Sequence, residues 1–424
     1  MLSHSRRAAL LIAAYASAQA TTVFGQESLR NSLDFDRMNG QRQQNLDNQV
    51  YNMRLGPVVM TLSAGTTVNY NDNINLSENA PKEDVSFHPG VQTAFIWQMS
   101  EHNQLAVDLN VSYAAYINNP ALNKIEVNPN SLSDISYDIF VGAVRFNLHD
   151  RFSYTESPLS YGSAAVSGEP DLGRFVNSIG VTSLLRLSEG SISIGYDHNN
   201  NVFFNKTFAN TDSSAELVFV RGSYNWNPTL TIGLETSGGM TTYAQKVRPD
   251  NRNYTVGPFA NWRLTSAISL EARAGLSGYQ LASRGALGDQ AAPLSYYASL
   301  SFKHQVNKQV AQSLVFSRDT SQGIGFSANF LEILSVRHTA TWNIIANTTL
   351  STELSYERSD DASKGAGLFK PESYSRYGGG VTIGYQVLRQ LTANLAYSHL
   401  EKDSTLAGGS YGNNLVTLGL SYRF

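Results

Sequence analysis

The sequence contains no cysteine. This absence excludes disulfides, thiolate metal sites and cysteine nucleophiles, and also a lipid anchor on a cysteine behind a signal peptide. Charged residues make up only 15% of the chain and the formal net charge is −3, so the cationic surface of a nucleic-acid-binding protein is missing. Beyond the first residues, no apolar run approaches the roughly 20 residues that a membrane-spanning helix requires.

Glycine and aromatic residues are plentiful, with 33 Gly, 22 Tyr and 19 Phe, and they occur in alternating patterns. The last ten residues show the pattern most clearly, because every second one is apolar: Val416, Leu418, Leu420, Tyr422 and Phe424. A β-strand sends alternate side chains to opposite faces, so this segment has one apolar and one polar face. A strand of a soluble sandwich could look the same. The terminal aromatic residue and the repetition of the pattern along the chain favour a strand of a membrane barrel.

The N-terminus predicts an export signal. Arg6 and Arg7 precede an apolar core at 8–14, and cleavage is expected after Ala20 or after Gly25. We therefore expect the protein to be exported to the outer membrane of a Gram-negative-type envelope.

Three regions follow from this pattern. Residues 1–25 are predicted to be the signal peptide, and residues 26–57 a polar periplasmic lead-in without sustained alternation. Residues 58–424 are predicted to form one domain, because no linker divides them.

The predicted fold is all-β, a transmembrane antiparallel up-and-down β-barrel of about 18 strands, with 16–18 as the range. Short and long connections alternate throughout, which a soluble all-β protein has no reason to maintain. With the N-terminus and Phe424 in the periplasm, all short turns fall there and all long loops fall outside. The predicted short turns lie at 100–103, His149-Asp150, 188–190, Asn227-Pro228, Thr265-Ser266, Asn307-Lys308, 343–347 and Arg389-Gln390.

One region departs from the regular alternation of strands and connections. Residues 117–132, which include Pro120 and Pro129, are predicted to be a long link. The run after it changes its apolar register near Gly142, which predicts a β-bulge inside one strand.

In lipid, backbone groups find no water, so membrane strands must close into a barrel. Closure pairs the first strand, near 58–70, with the last, at 415–424. A barrel of this size leaves room for an aqueous lumen. Charged side chains avoid the lipid face, where Arg or Lys costs about 2–4 kcal/mol at the midplane. Parity along the strands predicts the lumen-lining residues Arg145, Arg186, Arg221, Arg263, Arg273, Arg337, Glu235 and Glu271, together with Asp108, Lys303 and Glu353.

Basic residues outnumber acidic ones in this set, which predicts a mild preference for anionic solutes. The alternative is that the charges form neutralising pairs in a water-filled lumen. Four tryptophans lie at predicted strand ends beside short turns, as a periplasmic aromatic girdle would: Trp97, Trp226, Trp262 and Trp342.

Chemical motifs are weak. No G-x-S-x-G elbow, H-E-x-x-H or P-loop occurs, so we predict no catalytic, cofactor or metal site and no enzymatic activity. Histidines at His198, His304, His338 and His399 lie in different hairpins. Four aspartates of predicted loops could bind divalent cations, although solvated loops are the simpler interpretation: Asp72, Asp84, Asp360 and Asp361.

The first strand and loop carry the sequence Val-Asn-Tyr-Asn-Asp-Asn-Ile-Asn-Leu at 68–76, and Asp-Val-Ser-Phe-His-Pro-Gly-Val follows at 84–91. With the signal peptide and the aromatic C-terminus, this resembles the Putative beta-barrel porin 2 family, the outer-membrane barrels associated with exopolysaccharide gene clusters. The resemblance implies an outer-membrane porin-like protein that serves as the exit channel for a secreted polysaccharide.

Three alternatives stay open at this point. They are a general diffusion porin for small polar solutes, a non-conducting barrel that anchors a surface polymer, and a membrane-embedded hydrolase. The expected partners are outer-membrane lipid, the polysaccharide with its export complex, and the barrel-insertion machinery, which would read Tyr422 and Phe424 as an assembly signal.

Overall fold

The computed structural model describes residues 51–127, 133–155, 168, 173–245, 250–281, 294–322, 330–361 and 372–424. The signal peptide predicted at 1–25 and the lead-in up to residue 50 lie outside these residues. The strands are β1 (Met53–Leu55), β2 (Val58–Asn71), β3 (Asp84–Ser100), β4 (Asn103–Tyr116), β5 (Lys124–Val127), β6 (Ser133–Val141), β7 (Val144–Thr155), β8 (Arg174–Leu187), β9 (Gly190–Phe203), β10 (Ser213–Asn227), β11 (Leu230–Tyr243), β12 (Asn251–Arg263), β13 (Ile268–Leu281), β14 (Leu294–Gln305), β15 (Val310–Gln322), β16 (Phe330–Ile345), β17 (Thr348–Asp361), β18 (Tyr374–Gln386), β19 (Leu391–Ser404) and β20 (Tyr411–Arg423).

Successive strands pair antiparallel, except that β5 and β6 each pair with β4 and β7 and not with each other, and β20 returns to pair with β2. The result is a closed antiparallel barrel of 18 wall strands, which confirms the predicted fold. Two short 3₁₀ turns, Pro120–Leu122 and Lys206–Thr211, lie in the connections. In the part of the chain that the structure describes, no helix is long and apolar enough to cross a membrane.

The connections alternate in length as predicted. Between the wall strands, with β5 and β6 counted as one, eight connections hold two to four residues and share one end of the barrel, called here the short-turn end. The others hold six to eighteen residues and define the long-loop end. In outer-membrane barrels the short turns face the periplasm and the long loops face outside.

Two predictions about the fourth and fifth wall strands were wrong. Gly142 is not a bulge within a strand. It has φ +59° and forms, with Ala143, the two-residue turn from β6 to β7. Glycine is favoured there because tight hairpin turns need a positive φ. His149 and Asp150, predicted to be a turn, lie in the middle of β7.

The predicted link at 117–132 is also partly strand, because β5 lies within it. Val127 pairs with Val111 of β4, and Asp134 of β6 pairs with Asp108 of the same strand. Between these pairs, six residues (128–133) stand against two in β4. β5 and β6 therefore share one position in the wall, interrupted by an insertion.

The seam between β2 and β20 closes the barrel as predicted, with a register from Ser63 opposite Arg423 to Asn71 opposite Leu415. The same edge of β2 is covered near its start by β1, which pairs with residues 58–60. Asn52 fills the gap between these two partners. Its side-chain amide donates to the Leu62 carbonyl (2.9 Å) and to the Phe424 carbonyl, and its Oδ1 accepts from the Leu62 amide (3.1 Å).

The outward register is apolar along the wall, and residues such as Leu234, Leu276 and Leu354 are more than half exposed there. The four tryptophans lie in this outward register, each within three residues of a strand end at the short-turn side: Trp97, Trp226, Trp262 and Trp342. This is the position of an interfacial aromatic girdle.

Candidate functional site: the barrel interior

The inward register is identified by contacts between strands that are not neighbours. Arg273 of β13 reaches Glu235 of β11 (2.8 Å), and Asp197 of β9 reaches His149 of β7 (2.6 Å). Side chains can meet across an intervening strand only on the concave face of a closed sheet. Many inward side chains are serine, threonine or asparagine, so the interior is lined by hydroxyl and amide groups.

Glu235 lies at the centre of a charged cluster on the β11–β14 wall, and its side chain is 2% exposed. Its Oε1 accepts from Arg273 Nε (2.9 Å) and from the Tyr297 hydroxyl (3.3 Å). Gly257 of β12 lies beneath this cluster, and a Cβ there would come within 2.6 Å of the Tyr297 hydroxyl oxygen. The absence of a side chain at Gly257 therefore allows the pair to form across β12.

Other predicted lumen residues also lie beside opposite charges or aromatic rings. Arg337 contacts Glu353 (Nε–Oε1 3.5 Å), and the Arg221 guanidinium lies 4.0 Å from the centre of the Phe259 ring. The structure thus brings several of the predicted charges into pairs. This is the arrangement expected if the charges neutralise one another in a water-filled lumen. Their role in lining the conduction path stays a prediction.

Three predicted basic residues lie exposed near the short-turn end: Arg186, Arg263 and Lys303. Glu271 is half-buried and stands opposite Asn261 in the β12–β13 register. Asp108 of β4 is half-buried as well.

A second polar network lies on the β6–β9 wall and was missed from the sequence. Arg145 donates to both carboxylate oxygens of Asp138 (2.8 Å each), and Asn147 Nδ2 donates to Asp138 Oδ1 (2.7 Å). The amide of Asn147 is therefore oriented with its oxygen towards His149 Nδ1 (3.0 Å). His149 Nε2 contacts Asp197 Oδ1 (2.6 Å), with both side chains 1% exposed.

Both ring nitrogens of His149 consequently face oxygen acceptors. Both partners of the His149–Asp197 contact are buried, so neither side chain exchanges it for water. The sequence signal for this inward polar face was an alternation along β7. Its polar members are Arg145, Asn147, His149 and Arg151, and its apolar members are Val144, Phe146 and Leu148. It was obscured by Asp150, which stands in the outward register and accepts from the Asn177 side chain (2.5 Å).

At the long-loop end, the connection between β2 and β3, residues 72–83, reaches the interior. Its Leu76 is fully buried against Tyr411 and Leu400. Leu400 is paired with Asn413, and Tyr411 with Lys402, so all four side chains share the inward face. No sequence pattern predicted that this loop folds inward.

Close by, Lys402 is held by Glu372 (2.8 Å) and lies 4.5 Å from the centre of the Tyr374 ring. Glu357 accepts from the Tyr374 hydroxyl (2.9 Å) and from Arg376 (3.0 Å). Charges in this outer region are therefore buried in pairs.

The predicted loop aspartates have protein partners. Asp72 accepts from the backbone and side-chain amides of Asn414 (2.7 and 2.6 Å), and Asp84 accepts from Asn118 and Asn119 (3.0 and 2.7 Å). Asp360 lies 3.3 Å from Arg358, whereas Asp361 is the last residue of β17. Among the described residues, no group of three or more potential ligands could hold a metal ion.

The four histidines considered for catalysis lie in the outward register and contact amides or carboxylates. His304 and His338 contact the same Gln312 side chain (3.3 and 3.4 Å). His198 contacts Glu216 (2.8 Å). His399 contacts Asn414 (2.9 Å).

Comparison with known proteins identifies the type of barrel. A family model described as Putative beta-barrel porin 2 matches residues 51–424. No match was found among curated proteins.

Solved outer-membrane porins have the same fold. OccK2 (OpdF) of Pseudomonas aeruginosa, solved in complex with glucuronate, gives a TM-score of 0.51 at 10% identity, covering 89% of this chain and 100% of that one. OpdK of the same organism gives 0.50 at 13% identity, covering 86% and 98%. A BenF-like porin of Pseudomonas fluorescens Pf-5 gives 0.51 at 10% identity, covering 87% and 100%. At these identities the likeness supports the fold alone.

Proposed function

Because this chain belongs to the Putative beta-barrel porin 2 family and has the fold of an outer-membrane porin, we propose that its cargo is carbohydrate and that a secreted exopolysaccharide leaves the cell through it. Porins are channels of the outer membrane and not enzymes, so transport is passive diffusion through the interior.

The observation that carries this proposal is the pairing of interior charges. Glu235 with Arg273, Glu357 with Arg376 and Glu372 with Lys402 are close ion pairs in the described interior. Paired charges leave hydroxyl and amide groups as the main hydrogen-bonding partners. Such a surface suits a polyhydroxylated solute, which exchanges hydrogen bonds with water for similar bonds with the wall at little net cost.

A general diffusion porin for small polar solutes is the second candidate. The covered side chains of the outer interior favour it, because a narrow passage suits small solutes better than a polymer. A non-conducting barrel that anchors a surface polymer through its loops is the third.

Planar bilayer recordings distinguish the three. Neutral oligosaccharides of increasing length, added on the short-turn side, are expected to interrupt the current for times that grow with length. Permeation of monosaccharides without such interruptions would favour the diffusion porin, and absence of any conductance would favour the anchor. Deleting the gene should also reduce secreted polysaccharide, with restoration by the wild-type copy.

Export and assembly of the barrel are part of the same proposal. We expect the signal peptide at 1–25 to be removed, so the mature chain should begin at Thr21 or Gln26 in N-terminal mass spectrometry. The insertion machinery is expected to bind the last strand, where the Tyr422 and Phe424 rings meet edge to face (5.2 Å) on the outward side.

A further inference from the structure

The loop at residues 72–83 reaches into the outer mouth of the barrel. Its Leu76 packs on the inward side chains of β19 and β20. On the other side of the loop, the Gly168 amide donates to the carbonyls of Asn75 (2.9 Å) and Leu76 (3.1 Å). Gly168 belongs to the connection between β7 and β8, several wall strands away from β2. The loop therefore joins two distant parts of the mouth.

Two asparagines fix the shape of this loop. Asn73 Oδ1 accepts from the Ser77 amide (2.9 Å), and Asn73 Nδ2 donates to the Ser77 carbonyl (2.9 Å). Asn75 acts in the same way further along, accepting from the Lys82 amide (3.0 Å) and donating to the Ala80 carbonyl (3.1 Å). Each side chain thus supplies the hydrogen bonds that a strand partner would otherwise give.

The loop is also tied to the last strand. Asn73 Nδ2 donates to the Gly412 carbonyl (2.8 Å), and Asn413 Nδ2 donates to the Asn73 carbonyl (3.0 Å). Asp72 accepts two hydrogen bonds from Asn414. A loop with this many directed bonds is held in one position.

Leu76 supports the same conclusion through its backbone. Its φ of +48° lies in the left-handed region, which is unfavourable for a bulky residue. Such a conformation costs on the order of 1–3 kcal/mol and persists only where the surroundings enforce it. Here the burial of its side chain and the two asparagine turns, which both span residue 76, do so.

We infer that residues 72–83 form a fixed constriction that sets the size limit of the channel, with Leu76 at its buried apex and Asn73 and Asn75 as positioning residues. The exposed half, from Glu78 to Glu83, borders the remaining passage. This inference rests on the porin-type channel and does not depend on the chemical class of the cargo.

The test compares two asparagines that make similar bonds at opposite ends of the barrel. Asn75→Ala removes the inner turn of the loop and leaves the bonds to Gly412 and Asn414 in place. Asn307→Ala is the matched control, because Asn307 Oδ1 accepts from the Gln309 and Val310 amides (2.7 and 2.9 Å) in a short turn. Folding of both variants is checked by the heat-dependent shift in gel mobility.

Single-channel conductance and exclusion of polyethylene glycols of graded mass are then measured in planar bilayers. N75A is expected to conduct at least twofold more than wild type and to admit larger polymers, whereas N307A matches wild type. Equal conductance and equal exclusion size for folded N75A and wild type, including no conductance in either, would overturn the inference.

A second measurement does not depend on the folding of N75A. The chain has no cysteine, so single cysteines can be labelled without background. Glu78→Cys, modified with a maleimide-polyethylene glycol of 5 kDa, is expected to lose most of its conductance. Lys308→Cys, at an exposed turn position and modified in the same way, should keep more of its conductance. Unchanged current after complete labelling at position 78 would contradict the proposed position of the loop.

Discussion

The two halves of the interior differ along strands β8 to β17. In the outer half, inward side chains are almost fully covered: Ser178, Asp197, Asn251 and Ser277 are each 1% exposed. Towards the short-turn end, the inward residues Arg186, Arg263 and Lys303 are exposed to solvent. The difference teaches that the same polar register serves two purposes. In the covered part, a charged group such as Asp197 contacts a partner side chain, whereas in the open part the charged groups are exposed to solvent.

The largest effect is expected from breaking the His149–Asp197 contact in the covered part. Asp197→Ala removes the carboxylate that faces His149 and leaves a buried ring nitrogen without that acceptor. An unsatisfied buried group costs about 1–3 kcal/mol, and truncating a side chain at this fully buried position adds a cavity term to the loss. Urea unfolding in lipid vesicles, followed by tryptophan fluorescence, measures this loss.

Arg263→Ala in the open half is the control for that substitution, with an expected change within about 0.5 kcal/mol. Equal losses for the two variants would show that the halves do not differ in the way their burial indicates.

A smaller loss is expected for Glu235→Gln, which keeps the shape of the side chain but removes its charge. A hydrogen bond to a charged group contributes about 1.5–3 kcal/mol, and the loss should be a part of that value because the amide oxygen can still accept from Arg273. The uncompensated guanidinium should also move the reversal potential in a salt gradient towards anion selectivity. The isosteric change Glu271→Gln, at a half-buried position nearer the short-turn end, provides the comparison. A reversal potential unaffected by E235Q would separate the Glu235 cluster from the conduction path.

Sequence alone could predict the wall of this barrel but little of its interior. Alternation and loop length suffice for strand count, closure and the outward tryptophans, because lipid constrains every second residue along each strand. The Asp138–His149–Asp197 network depends on the register between strands that are distant in sequence, which no local pattern contains. The wrong turn at His149-Asp150 has the same origin. A single polar residue in the outward register, Asp150, suggested a turn there, whereas the turn between β6 and β7 lies at Gly142.

The loop at 72–83 shows a further limit. Sequence reasoning favours a solvated Asp72 and is compatible with local bonds of this loop, such as the Asn73 amide donating to Asn71 Oδ1 (2.8 Å). The loop's bonds to Gly412, Asn413 and Asn414 arise only once the barrel closes. The sequence of this loop carries the family resemblance. The contacts that hold the loop in place form only when the last strand pairs with the first.

The seam between β2 and β20 should be less sensitive to mutation than the covered interior. At the short-turn end, the Phe424 amide donates to the Leu62 carbonyl (3.1 Å), and Asn52 holds the Phe424 carbonyl. Deleting Phe424 is expected to cost about 1–2 kcal/mol in lost seam bonds. It should impair assembly more than conductance, because these contacts lie on the wall and not in the passage.

Quantitative immunoblots of outer-membrane fractions, with single-channel recordings on the protein that still inserts, measure the two effects separately. Asn52→Ala keeps the terminal ring but loses the bridge, so it should show a milder assembly defect. Normal membrane levels of the chain lacking Phe424 would contradict the role assigned to the last residue.

The smallest effects are expected from the exposed cations near the short-turn end. Arg186→Ala and Arg263→Ala remove charges that water already solvates, so stability should be unchanged. Their influence on permeant ions is long-range and therefore screened, with a Debye length of about 10 Å at 0.1 M salt and about 3 Å at 1 M. The double variant should shift the reversal potential towards cations at 0.1 M salt and match wild type at 1 M. A shift that persists at 1 M would mean that ions contact these side chains directly, and the open half would then take part in selectivity as well.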